Sequence, residues 1–401
     1  MKLDFTELPV VDAHAHPFMP SREKKVYGRR YILSSDRYSK VEQETVSSTL
    51  AYRMILREMA RISGLSKDAP DEEIIAARNA MARKDYKAFV ELLFRDAGIE
   101  TFLNETGFPV QGARLREEEV NAFCQATENI DVREIIRLEM TCNHLVEDSQ
   151  EMLTFQEFLD AFHKQMRNRI AHGRVAALKT VIGYFTGLEI LNPTWEEAER
   201  SFLSFYYGKE KERWIQKPFR DYMVFEFVKI CQEYHLPLQI HTGAGDPPSC
   251  DLRLMRPSLL YEFMNREDTG KIPIVLLHGG YPFVEEMAFM VNGYANVWTD
   301  VSSMTADDSI AVERALPMLL EKVPLKRLMY GSDGAGDVDP IWFAAVNFKK
   351  VLGRVFDSLV ERDVLGVSYA RQAAGWILSE NAKELYKLTY CATSNKLCEN
   401  L

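Results

Sequence analysis

The sequence lacks the features that mark several large classes of protein. Its 401 residues contain no uncharged apolar stretch of about 18 residues, so we expect no membrane-spanning helix. They contain no run rich in Lys and Arg, and 59 acidic side chains outnumber 49 basic ones, which argues against a general nucleic-acid binder. No basic segment followed by a long apolar core opens the chain, so we expect no secretory signal and a cytoplasmic protein.

Cysteine patterns are also missing. None of the six cysteines forms a CxxC pair, and in a chain of this length they do not resemble a disulfide framework. We therefore expect reduced thiols and no zinc site built from cysteines.

The sequence does contain an alternation of short apolar runs with longer helical patterns. Each run is rich in Val, Ile, Leu or aromatic residues, as buried parallel strands are, and the gaps are long enough for crossover helices. The runs lie at residues 9–14, 99–104, 135–139, 175–182, 237–241, 274–278, 297–301 and 328–331. Eight such units in succession predict an α/β fold, the (β/α)8 TIM barrel.

Two insertions with helical patterns interrupt the alternation, at residues 17–97 and 142–172. In the second, Phe155, Phe158 and Phe162 recur at helical spacing, which is typical of a face that packs into a core. Neither insertion has the composition of a linker between independent domains. We therefore expect residues 1–401 to form a single barrel whose insertions cap its C-terminal face.

Polar residues stand at the predicted C-terminal ends of the strands, where barrels of this kind carry their active sites. His14 and His16 are two apart on an extended segment, so both side chains point to the same face. Four of the eight histidines fall at strand ends, and their joint placement with an aspartate predicts a divalent metal site. The polar residues at these ends are His14, His16, Arg137, Glu139, Lys179, His241, His278 and Asp333.

Lys179 is unusual because it lies inside an apolar run, and a buried lysine is costly unless it is paired or neutralised. Three explanations stay open. The amine could form an ion pair with Glu139 or another carboxylate, it could bind substrate as an ammonium, or CO₂ could convert it into a carbamate that bridges two metal ions.

Six segments carry a resemblance to a known family: VDAHAHPF at 11–18, ALKTVIGYFTGL at 177–188, QIHTGAGD at 239–246, LLHGGYPFVEE at 276–286, ANVWTDVSS at 295–303 and LMYGSDG at 328–334. Together they resemble the amidohydrolase superfamily, in its amidohydrolase-related branch. The run from 278 to 303 is similar to the barrel domain that nodulin-like and fungal sporulation-type proteins carry fused to a glutamine-synthetase domain.

This resemblance implies a ligand set. It implies that His14, His16 and Asp333 bind one metal ion, and that a carbamylated Lys179 bridges to a second ion held by His241 and His278. In mononuclear relatives the lysine is dispensable, the histidine of the fifth strand binds the single ion, and that of the sixth is an acid or base. We expect one or two divalent ions, with Zn²⁺ preferred and Mn, Fe or Ni compatible with the same donors.

The leading hypothesis for function is hydrolysis of a C–N bond, in an amide of a small carboxylic acid, by metal-activated water. Asp333 would move the proton, and His278 would stabilise the oxyanion if it is not a ligand. Arg137 would clamp the substrate carboxylate, unless it pairs with Glu139 or a neighbour. The aromatic residues expected to line the pocket, if they do not only pack, are Tyr184, Tyr281 and Trp298.

Two other hypotheses remain. One is a metal-dependent decarboxylase of a small unsaturated or aromatic acid, which a single ion with an unmodified Lys179 would favour. The other is a non-catalytic barrel that binds a ligand or partner and retains metal poorly. The expected partner is a small-molecule substrate, and the apolar faces of the insertions are compatible with a homo-oligomer.

Overall fold

Eight short parallel strands form the centre of the structure, a computed structural model that describes residues 2–24, 46–106, 116–245, 250–305 and 310–388. Each strand pairs with its neighbour in chain order, from β1 to β8. Ala13 N–H donates to the Tyr330 carbonyl (3.2 Å), which joins β1 to the end of β8 and nearly closes the barrel. The strands are β1 Val10–Ala15, β2 Ile99–Glu105, β3 Asp131–Arg137, β4 Val175–Thr180, β5 Leu238–Ile240, β6 Ile274–Leu276, β7 Val297–Asp300 and β8 Leu328–Met329.

Helices alternate with these strands and complete the expected (β/α)8 barrel, which is confirmed. Within the described residues their bounds are α1 Leu50–Ile62, α2 Asp71–Lys84, α3 Tyr86–Ala97, α4 Glu117–Ala126, α5 Leu138–Asp148, α6 Phe155–His172, α7 Trp195–Tyr206, α8 Arg213–Tyr234, α9 Tyr261–Met264, α10 Val284–Gly293, α11 Ala311–Lys322, α12 Val338–Glu361, α13 Val367–Gly375 and α14 Asn381–Leu385. None of the helices in these parts of the chain is long and apolar enough to cross a membrane.

The third strand departs from its sequence-based boundaries. It starts at Asp131 rather than at residue 135, and it ends at Arg137, so that Glu139 lies in the first turn of α5. The apolar run at 135–139 missed the first half of this strand because that half is polar. Those polar residues are satisfied by ion pairs, since Asp131 contacts Arg174 and Glu134 contacts Arg169.

The side chains inside the barrel divide into two zones along its axis. An apolar cluster fills the interior, and the C-terminal segment contributes Leu385 and Tyr386 to it, at the end opposite the polar strand ends. Asn381 anchors this segment by donating from Nδ2 to the carbonyls of Leu325 and Leu328. The strand residues of the cluster are Val11, Ala13, Leu103, Ile135, Ala176, Ala177, Val275 and Met329.

Parts of the two insertions contribute to the body of the barrel. Helix α3 packs against β2 and α12. Helix α6 leads into β4, and its phenylalanine stripe packs on the rings of Phe202 and Phe219, as the helical spacing indicated. Residues 25–45 of the first insertion lie outside the described residues.

One cysteine contradicts the expectation of reduced thiols. Cys124 is disulfide-bonded, whereas Cys142 and Cys231 carry free, buried thiols. Cys391 and Cys398 lie outside the described residues. The absence of CxxC spacing therefore did not exclude a disulfide at Cys124.

A buried ion pair ties the first insertion to the first turn of α12, the helix that follows β8. Arg78 on α2 is fully buried, and its guanidinium donates to both carboxylate oxygens of Asp339, at 3.0 and 2.7 Å. Asp337 and the carbonyl of Ser21 accept further hydrogen bonds from the same guanidinium. This network holds α2 against the segment that follows Asp333.

Replacing Arg78 by Met should destabilise the fold strongly, because the buried carboxylate of Asp339 would lose both hydrogen bonds from that guanidinium. We expect a loss of about 3–5 kcal/mol in the free energy of unfolding, measured by urea denaturation. The matched control is Arg354→Met, which breaks a half-exposed pair with Glu313 and should cost less than about 1 kcal/mol. Equal effects of the two substitutions would contradict this assignment.

Candidate metal centre

The polar ends of β1 and β8 meet at one point of the barrel rim. Asp333 N–H donates to the His14 carbonyl (2.8 Å), and His16 N–H donates to the Gly334 carbonyl (2.9 Å). The backbone of Asp333 has a φ of 54°, in the left-handed region that aspartate tolerates better than most residues. These contacts bring together residues that are more than three hundred positions apart in the sequence.

The side chains at this meeting point form a group that can hold a metal ion. One ligand atom each from His14, His16 and Asp333 lies within 4.8 Å of the other two. Asp333 Oδ1 is 3.1 Å from His16 Nε2 and 3.3 Å from His14 Nε2. Two imidazoles and a carboxylate are a donor set that zinc and related divalent ions accept, so the residues fit the expected metal.

The protonation states of this group also suit a metal. Burial, with the charge of Lys179 nearby, lowers the pKa of His14 well below its usual value, so the ring is neutral at pH 7. Burial raises the pKa of Asp333, but the neighbouring imidazoles of His278, His14 and His16 outweigh it and lower that pKa well below its usual range. Neutral imidazole and ionised carboxylate are the forms that bind cations.

Gln239 on β5 fixes the orientation of His14. Its Nε2 donates to the Ala13 carbonyl (3.1 Å) and to the Tyr386 hydroxyl (2.9 Å), which turns Oε1 towards His14 Nδ1 at 3.0 Å. Nδ1 must then carry the hydrogen, because Oε1 can only accept. The lone pair of His14 is therefore on Nε2, the atom nearest Asp333.

Lys179 lies beside the group as expected, but its carboxylate partner is Glu105 rather than Glu139. Lys179 Nζ is 2.8 Å from His14 Nε2 and 3.5 Å from Glu105, and Glu105 also pairs with Arg137. Burial lowers the pKa of Lys179. Burial raises the pKa of Glu105, but Arg137 and Lys179 outweigh it and lower that pKa to about 2.

His241 and His278 contact each other through ring nitrogens 2.8 Å apart. Ser302 donates its hydroxyl hydrogen to Asp300 (2.8 Å) and so accepts from His278 Nδ1 (2.8 Å). Neutral His278 then accepts at Nε2 a hydrogen bond from His241 Nδ1. The other ring nitrogen of His241, Nε2, therefore keeps a lone pair, and it is buried without a hydrogen-bond partner. His278 itself has a φ of 68° and lies beside two glycines with positive φ, a turn that lets the ring reach His241.

The predicted substrate-contacting residues occupy different surroundings. Tyr184 packs its ring against that of His241, with centroids 4.7 Å apart, and the Tyr281 carbonyl accepts from Ala244 N–H. Trp298 packs against the apolar cluster in the barrel interior, which is the packing role that the sequence left open for it. Arg137 is engaged with Glu105, not with Glu139.

Several residues of the site were missed from the sequence. Glu105 directly follows the apolar run that ended at Asn104, and it lies two positions after the interior residue Leu103. Gln239 stands two positions before His241 in an otherwise apolar strand. The period of two along a strand could have found both, because it places them on the interior face.

Comparisons with known proteins agree with this architecture. The amidohydrolase family model matches residues 204–388, which confirms the resemblance seen in the sequence. Protein fluG of Emericella nidulans is 25% identical over 410 residues, covering 95% of this chain and 46% of that protein, so the chain spans about half the length of this curated relative.

Solved structures share the fold across nearly the whole chain. A candidate metal-dependent hydrolase from Lactobacillus casei superposes with a TM-score of 0.80 at 22% identity, covering 96% of this chain and 98% of that one. Uronate isomerase from Thermotoga maritima superposes with a TM-score of 0.66 at 16% identity, covering 95% of each chain. At these identities the likeness establishes the fold.

Replacing Gln239 by Leu should weaken metal binding, because His14 would lose the partner that fixes its tautomer. We expect zinc affinity to fall about 10–100-fold, measured by competition with a chromogenic chelator. Tyr386→Phe is the matched control, because Gln239 would still be held by the Ala13 carbonyl. If Gln239→Leu bound zinc as tightly as the control, Gln239 would have no role in positioning His14.

Glu105 should make the fold sensitive to acid. A carboxyl whose pKa is lowered on folding stabilises the folded state above its unfolded pKa, here 4.5, and that stabilisation is lost as the pH falls towards 2. The shift corresponds to about 3 kcal/mol, which Glu105→Gln should remove from the pH dependence of urea unfolding. Glu128→Gln removes an exposed partner of Lys87 and serves as the control. An unchanged acid limb in Glu105→Gln would contradict this role.

Proposed function

We propose that this chain, which matches the amidohydrolase family model, is a metal-dependent hydrolase that cleaves an amide-type C–N bond of a small carboxylate-bearing substrate. The observation that carries the proposal is the group of His14, His16 and Asp333, whose ligand atoms lie within 4.8 Å of one another. Its position at the C-terminal ends of the strands is where barrels of this fold perform catalysis.

The chemistry follows from the charges around this group. A divalent cation held there lowers the pKa of water towards neutrality and polarises a carbonyl. Asp333 is ionised and beside that position, so its carboxylate can accept a proton and return it to the leaving nitrogen. If it is not a ligand, His278 could serve the developing oxyanion as a donor only with a proton on Nε2, because its Nδ1 hydrogen is directed at Ser302.

A second ion is compatible with the neighbouring histidines. Nε2 of His241 is buried without a hydrogen-bond partner, and Nε2 of His278 would become available if an ion replaced its hydrogen bond from His241 Nδ1. Lys179 Nζ lies 2.8 Å from His14 Nε2. As a carbamate it would supply oxygen donors beside His14 for a metal ion, and Arg137 would then help to balance the charge of Glu105.

A second candidate function rests on the contact between Lys179 and Glu105. If this ion pair keeps Lys179 as an ammonium, the site holds one metal, and decarboxylation of a small unsaturated or aromatic acid becomes the alternative. The products separate the two reactions, because a decarboxylase releases CO₂ and a hydrolase releases an amine.

Two measurements test the proposal. Protein purified without chelator should contain stoichiometric divalent metal, and His14→Ala should lose most of it. Against a panel of small carboxylate-bearing amides, Asp333→Asn should keep the fold but lower turnover about a hundredfold or more.

The control is Asp71→Asn, which removes a surface carboxylate paired with Arg53 and should leave turnover unchanged. Wild-type protein without metal, or full activity of Asp333→Asn, would overturn the proposal.

A further inference from the structure

The hydroxyl of Ser302 lies between a carboxylate and an imidazole, just after the end of β7. Ser302 Oγ is 2.8 Å from Asp300 Oδ1 and 2.8 Å from His278 Nδ1. All three residues are buried, with exposed fractions of 1% or less. A hydroxyl has a single hydrogen, so it donates to only one of these two neighbours and must accept from the other.

The backbone decides which neighbour receives that hydrogen. The N–H groups of His278 and Ser302 both donate to Asp300 Oδ1, at 2.7 and 3.3 Å. An oxygen whose lone pairs face two N–H groups carries no hydrogen itself, so Ser302 is the donor towards Asp300. This direction holds whatever the charge of Asp300, because a carboxyl hydrogen would lie on Oδ2 instead.

The direction of this first hydrogen bond sets the direction of the next two. Ser302 Oγ accepts the hydrogen of His278 Nδ1, which leaves the lone pair of a neutral ring on His278 Nε2. That atom is 2.8 Å from His241 Nδ1, so His241 supplies the hydrogen of this contact. The lone pair of His241 then lies on its other ring nitrogen, Nε2.

His241 Nε2 is the open end of this chain of hydrogen bonds. It is buried and has no hydrogen-bond partner, so a hydrogen on it would have nothing to bind. A Cβ at position 245 would lie 3.0 Å from Nε2 and 1.9 Å from the Tyr184 hydroxyl. Gly245 therefore keeps space beside a buried lone pair, and a divalent cation is a partner that such a lone pair binds.

The two rings lie beside the candidate metal ligands. The ring centroid of His278 is 4.4 Å from that of His241 and 5.7 Å from that of His14. The chain of hydrogen bonds thus starts at Asp300, at the end of β7, and ends at His241, next to the group that can hold a metal ion.

We propose that Ser302, held by Asp300, is a positioning residue of the metal site, which acts through His278 to keep the hydrogen of His241 on Nδ1 and its lone pair on Nε2. If His278 carried its hydrogen on Nε2, it would donate to His241 Nδ1, and the hydrogen of His241 would move to Nε2, where it would block a cation. The metal-binding form of His241 therefore depends on a hydroxyl two hydrogen bonds away. This inference shares with the proposed function the presence of a metal ion.

NMR of the full chain with ¹⁵N-labelled histidine rings reads the tautomers, because ring nitrogens with and without hydrogen differ in chemical shift. The metal is first chelated, since an ion would itself fix the tautomers. In wild type we expect the hydrogens of His241 and His278 on Nδ1. In Ser302→Ala, His278 Nδ1 loses its acceptor, and both rings should shift together towards the form with hydrogen on Nε2. The His14 signals check the fold, because Gln239 keeps that hydrogen on Nδ1 in both proteins.

Zinc affinity, measured by competition with a chromogenic chelator, tests the consequence for the metal site. Ser302→Ala should bind zinc about 10–100-fold more weakly than wild type, the range for residues that orient metal-binding histidines. The matched control is Ser379→Ala, which removes a buried hydroxyl that has no hydrogen-bond partner. It should match wild type in both measurements.

The inference is overturned if His241 or His278 of wild type carries a hydrogen on Nε2. It is also overturned if Ser302→Ala leaves the tautomers unchanged, shifts only one of the two rings, or binds zinc as tightly as Ser379→Ala. Failure of the proposed function looks different. In that case the zinc-loaded protein hydrolyses none of the amides, while the tautomers and the zinc affinity still depend on Ser302.

Discussion

The backbone hydrogen bond from Asp333 N–H to the His14 carbonyl is the contact on which the site depends. It can form only if the strands complete their circuit, because β1 and β8 are the first and last strands of the barrel. Once it forms, it holds the two histidines at the end of β1 close to the aspartate that follows β8. Assembly of the metal centre and closure of the barrel are thus the same event.

Polar and apolar side chains occupy opposite ends of the barrel interior, with the polar ones around the candidate metal ligands. Apolar side chains and Tyr386 occupy the opposite end, whereas buried charges surround the candidate ligands. Gln239 connects the two zones, since it contacts Tyr386 on one side and His14 on the other. Glu105 balances the charge of two buried cations, Arg137 and Lys179. The electrostatics of the site therefore depend on residues that never need to touch a metal.

The sequence predicted the features that follow from simple periodicity. Apolar runs identified all eight strands. Polar residues at their ends made His14, His16 and Asp333 candidate ligands, and the fold brings these three together because parallel strands bring their carboxyl ends to one rim. Pairing between side chains could not be predicted. Arg137 and Arg220 are both arginines in buried positions, and only the fold shows that Arg137 has a carboxylate partner whereas Arg220 has none among the described residues. Tautomers, such as that of His14, likewise depend on contacts between residues far apart in sequence.

The central claim is that one cation is held between β1 and β8. Anomalous diffraction at the zinc absorption edge, from crystals of the zinc-loaded protein, tests it most directly. We expect an anomalous peak with His14 Nε2, His16 Nε2 and a carboxylate oxygen of Asp333 at roughly 2.0–2.2 Å. A protein with no anomalous peak at this rim, or with its ion bound elsewhere, would contradict it.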